Sequence, residues 1–116
     1  MTVAAVLFAI AALGGVIIAG MRLRGRQLPP LGLALVHGAF AAGGLIAFLV
    51  VVVGRATSTQ AVVALVGFII AALGGFFLFS YHLRRHALPV PVVIVHGLIA
   101  VISFIILLIA IFAAAT

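Results

Sequence analysis

Apolar residues run through this chain in four blocks: about Val3–Gly20, Leu31–Val53, Ala61–Ser80 and Val90–Ala115. A helix needs roughly 20 apolar residues to cross the hydrocarbon of a bilayer, so each block predicts one transmembrane helix. The connectors are short and polar. Met21–Pro30 holds three arginines, Gly54–Gln60 holds one, and Tyr81–Pro89 holds two together with His82 and His86. Prolines fall where helices should begin, with Pro29 or Pro30 before the second block and Pro89 or Pro91 at the fourth. At a first helical turn the missing N–H costs nothing and the fixed φ suits the helix. The first block lacks a basic leading segment, and its apolar run continues past Gly15 toward Arg22. It reads as a retained helix, not a cleaved signal.

The pattern occurs twice. Val3–Pro29 matches Val63–Pro89 at an offset of 60, with Ala11-Ala12-Leu13-Gly14-Gly15 recurring as Ala71-Ala72-Leu73-Gly74-Gly75. One residue is then lost, and Val36-His37-Gly38 with Ala41 recurs as Val95-His96-Gly97 with Ala100. The repeating unit is a helical hairpin, about residues 1–58 and 59–116 of a single transmembrane domain. A unit that crosses twice keeps the same topology in both copies. The expected fold is therefore an all-α bundle of four transmembrane helices, with a pseudo-twofold axis along the membrane normal.

Composition narrows the chemistry. The chain has 116 residues, is 69% hydrophobic, and carries a formal charge of +6 with no Asp, Glu, Cys or Trp. Soluble domains are roughly half apolar and a quarter charged, so this is not one. All six formal charges are arginines in or beside the connectors. The basic balance thus marks wet membrane edges, not nucleic-acid binding. The absence of carboxylates excludes paired-carboxylate catalysis and hard-cation cages. The absence of cysteine excludes iron–sulfur ligation and disulfides, and the absence of lysine excludes a Schiff base. Five arginines fall in the first and third connectors, against Arg55 alone in the second. The positive-inside rule then predicts that the first and third connectors are cytoplasmic and both termini lie outside. The chain reads as an integral protein of the bacterial inner membrane.

Two histidines stand inside the apolar blocks at matching places. An intramembrane histidine is a functional-site hypothesis by default, because a polar ring is costly in hydrocarbon. His37 lies about seven residues into the second helix, roughly 10 Å from its start at 1.5 Å per residue. Counting back the same distance from Arg22 reaches Gly15, and from His82 reaches Gly75. Each half therefore contributes one imidazole and one glycine pair, Gly14-Gly15 or Gly74-Gly75, to a single layer. With helices ordered around a square, the second and fourth are diagonal, and a metal on the axis would receive one imidazole from each. The glycines leave room for a flat group between helices. Ala41, Ala100, Gly44 and Ser103 keep the same faces small one and two turns deeper. Arg22, Arg24, Arg84 and Arg85 lie nearer the surface, where the propionates of a haem would project, and arginine pairs well with carboxylates. His82 and His86 align with Arg22 and Arg26 and read as basic connector residues.

The Val-His-Gly segments at His37 and His96, with the glycine pairs of helices 1 and 3, make the chain resemble the four-helix membrane b-type cytochromes in plan. That resemblance implies one haem b held by both histidines, with a low-spin iron and an electron-transfer role instead of catalysis at iron. Members with two haems use four bundle histidines in two layers; a single layer here implies one haem. The small multidrug transporters have the same length and helix count, but they rely on an intramembrane glutamate that this chain lacks.

Other functions compete. The chain could hold a chlorophyll-type pigment on each histidine. It could be a cofactor-free structural or assembly subunit whose glycine faces pack against other helices. A histidine-gated transporter would need more intramembrane polar groups than this chain has. Expected partners are membrane lipid, further membrane subunits or a second copy of the chain, and a quinone as exchange partner for electrons.

Overall fold

The computed structural model describes residues 1–116 as four helices: α1 Thr2–Leu23, α2 Leu31–Gly54, α3 Thr59–Leu83 and α4 Val90–Ala114. All four are long and apolar enough to cross a membrane, and together they form a rod of 45 × 21 × 19 Å. Large apolar side chains such as Val16, Leu73, Phe76 and Phe112 point outward, as lipid-facing helices require. In a soluble protein these exposed side chains would form a large apolar surface.

The helices lie in chain order around a square. α1 packs on α2 and α3 on α4 over most of their lengths, while α1–α4 and α2–α3 contacts are sparser and the diagonal helices meet only through side chains. The molecule is thus two tight hairpins laid against each other, the arrangement the repeat predicts. At one end, Phe8 and its repeat mate Phe68 stack nearly parallel with ring centres 3.8 Å apart. Phe48, Leu65 and Leu107 close around this pair. Gly44 makes the stack possible, because a Cβ there would sit 3.0 Å from the Phe8 ring. A second, smaller apolar cluster of Leu78, Leu88 and Val93 closes the arginine-rich end.

Helix ends follow local chemistry. Pro30 and Pro89 occupy the N-cap positions of α2 and α4, and Pro91 lies in the first turn of α4. The Ser58 hydroxyl caps α3 by accepting from Ala61 N–H at 3.2 Å. α1 and α3 run a turn farther than the apolar blocks, through Arg22 and His82. Basic residues are favourable in a last helical turn, where the backbone dipole is negative. Both helices then close in the same way. Gly25 N–H donates to Arg22 carbonyl and Arg26 N–H to Met21; Arg85 N–H donates to His82 carbonyl and His86 N–H to Tyr81. This closure turns on one left-handed residue. In the first half it is Gly25 at φ 102°, and in the second it is Arg85 at φ 54°.

A side chain in that conformation costs about 1–2 kcal/mol, of which glycine would return a part as extra freedom of the unfolded chain. Arg85→Gly is therefore expected to raise stability by about 0.5–1 kcal/mol, measured by thermal unfolding in a zwitterionic detergent. Arg85→Ala, which keeps the Cβ, should give no such gain.

Candidate functional site

Between the two apolar clusters lies the histidine layer. Nδ1–H of His37 donates to the carbonyl of Ala11 at 2.7 Å, and Nδ1–H of His96 donates to that of Ala71 at 2.8 Å. A carbonyl only accepts, so each Nδ1 must carry the proton. In its neutral form each ring then has its lone pair on Nε2. The two hydrogen bonds are repeat mates and tie each imidazole to the helix that precedes it in its own hairpin.

The glycine pairs make this possible. A Cβ at Gly14 would lie 3.4 Å from Cβ of His37, and one at Gly15 would lie 3.0 Å from its Cε1. A Cβ at Gly74 would lie 3.5 Å from Nδ1 of His96, and one at Gly75 would lie 3.2 Å from its Cε1. The space left by each pair is filled by the imidazole of the same hairpin. The glycines hold the histidines; the flat surface that small residues there would offer a ligand is covered by these rings.

The two rings, on diagonal helices, are 6.2 Å apart between centres and nearly perpendicular, at 84°. Two imidazoles on opposite sides of one metal, each nitrogen about 2.0 Å from it, have ring centres about 6 Å apart. The spacing of the two ring centres matches that of two imidazoles on one metal. No three His, Cys, Asp or Glu side chains gather anywhere in the chain. Ordinary zinc sites use three or four such ligands. His96 also lines a groove of about 350 Å³ between α3 and α4, with Gly74 and Val95 beside it.

The structure separates the arginines. Arg22 is half-buried, and its Nε–H donates to the Leu88 carbonyl at 2.7 Å, across the seam between the first and third connectors. Arg24 and Arg85 are exposed. Arg84 is exposed as well; it lies over the Tyr81 ring at 4.6 Å and donates to Ser80. Only Arg22 of the four turns into the molecule. Ser103 faces Gly67 and donates to the Ile99 carbonyl, so it too serves packing.

His82 is more than a basic connector residue. It is buried, and its Nε2–H donates to the Pro29 carbonyl at 3.1 Å. It mirrors its repeat mate Arg22: each reaches the Leu-Pro segment of the other half. Leu88 N–H to Gln27 carbonyl, at 3.0 Å, completes the latch. Alignment of Arg22 with His82, and of Leu28-Pro29 with Leu88-Pro89, is the sequence signal for it. His86 remains exposed.

These features define an integral membrane four-helix bundle with a paired-histidine layer. No protein-family model, curated protein or solved structure matches the chain.

Proposed function

We propose that the chain holds one haem b between His37 and His96 and serves as a membrane electron carrier, alone or as a small subunit of a larger complex. The observation that carries this reading is the paired geometry: two imidazoles from separate hairpins, 6.2 Å apart, each with Nδ1–H tied to a backbone carbonyl. A carbonyl on Nδ1 fixes the tautomer, orients the ring and raises the basicity of the ligating nitrogen. His37 and His96 would hold the haem iron, and Arg22, at the seam, would hold a propionate. An iron with two imidazoles supplies a one-electron couple with no open position for substrate. Quinone, or a haem of a neighbouring subunit, would exchange the electron.

The test is the absorption spectrum of the purified protein, oxidised and dithionite-reduced. Reducible low-spin haem bands are expected. Pigment bands would replace this reading with a chlorophyll-type one, and a spectrum with no cofactor bands would overturn both.

A second reading rests on the fit of each imidazole into its own glycine pair. That contact alone would pack the hairpin, and the chain would then be a cofactor-free structural or assembly subunit. Loss of stability on removing either histidine, in a protein with no cofactor spectrum, distinguishes it.

In this proposal the arginine-rich end faces the cytoplasm of a bacterial inner membrane, on the five-to-one arginine bias. A reporter fused after Thr116 is expected to be active outside the cytoplasm; cytoplasmic activity would reverse the orientation.

A further inference from the structure

The arginine-rich end carries more charge than the histidine layer can use. Arg24, Arg26, Arg84 and Arg85 are all exposed, and the chain has no carboxylate side chain anywhere to neutralise them. The latch between the connectors brings the two arginine groups to one end of the rod. Arg84 lies over Tyr81 in the last turn of a membrane helix. Tyrosine at such a place marks the headgroup level of a bilayer.

A second observation is independent of charge. Arg85 occupies the left-handed position that its repeat mate fills with Gly25. The first half shows that this fold accepts glycine there without strain. The second half keeps a long cationic side chain at that position despite the strain. Strained backbone at an exposed position points to a use for the side chain.

We propose that Arg24, Arg26, Arg84 and Arg85 form a binding surface for the phosphates of anionic phospholipids in the adjoining leaflet, with Arg85 held in place for that contact. Guanidinium groups pair with phosphate oxygens through two parallel N–H bonds, which suits arginine and not lysine. The surface lies at headgroup depth, so lipids reach it by lateral diffusion. The inference does not depend on what His37 and His96 hold.

The full chain, purified in zwitterionic detergent, is supplied with phosphatidylglycerol or phosphatidylcholine, and retained lipid is counted by native mass spectrometry. Phosphatidylglycerol should be retained well above phosphatidylcholine, and less so at high salt. One arginine near a membrane surface is worth about fivefold in binding, so Arg85→Gly should weaken retention by about that factor while folding at least as stably as wild type. The double variant Arg24→Ala/Arg26→Ala should weaken it further, and Arg85→Lys should restore only part. Arg55→Ala, at the opposite end, should change nothing. Equal retention of the two lipids, or an effect of Arg55→Ala matching that of Arg85→Gly, would overturn the proposal. So would displacement of the lipid by millimolar glycerol phosphate, which would make a soluble phosphate the ligand. Tighter binding of an acidic peptide than of phosphatidylglycerol would point instead to a protein partner and overturn it too.

Discussion

On the haem proposal, replacing His37 or His96 with alanine is expected to abolish the low-spin spectrum, leaving at most a weakly held five-coordinate haem. Each imidazole is one of only two side chains at the axis able to ligate a metal, and no third ligand stands near to substitute. The two substitutions should act alike because the environments are alike: an Nδ1 bond of 2.7 or 2.8 Å and a glycine pair beneath the ring. Retention of a normal haem spectrum by both variants would place the ligands elsewhere, on His82 and His86. His82 donates its Nε2–H to Pro29 and is not free in this fold.

The second large effect is expected from the glycines. Gly15→Leu or Gly75→Leu should displace the imidazole from its carbonyl while both histidines remain. Loss of such an orienting partner costs about 10–100-fold in metal affinity, and displacement of the ring itself adds to that. The methyl of Gly15→Ala would meet Cε1 at 3.0 Å, and that of Gly75→Ala at 3.2 Å. The alanine variants should therefore be graded, with Gly15 the more sensitive. Cofactor content per chain, read beside thermal stability, checks this. Unchanged cofactor content in Gly15→Leu would remove the glycine pair from the site.

Much of this was legible in the sequence. Four apolar blocks gave four helices because the hydrocarbon fixes their length. Duplication gave the symmetry, and helical rise put His37 level with Gly15 and His96 with Gly75. What escaped was carried by the backbone or by contacts between halves. The acceptors of both histidines are main-chain carbonyls of Ala11 and Ala71, and a backbone acceptor leaves no mark in residue type. The glycine pairs were legible as small, but not as seats for the imidazoles. Arg24, Arg84 and Arg85 looked equivalent to Arg22 along the chain. Only the folded connectors turn Arg22 inward and leave the others exposed. The role of His82 needed the adjacency of two loops far apart in sequence.

The sparse packing between hairpins has a consequence for how the two halves stay together. Arg55–Ser58 is a tether of four residues joining α2 to α3. A tether that short makes docking of the second hairpin intramolecular, at an effective concentration in about the millimolar range. Two separate hairpins would need a far tighter contact to find each other in a dilute membrane. Fusion also ends the requirement that both halves be identical. Gly25 and Arg85, Gly44 and Ser103, and Arg22 and His82 have diverged within a shared frame. A homodimer could not make such one-sided changes, because every mutation would appear on both flanks of the axis at once.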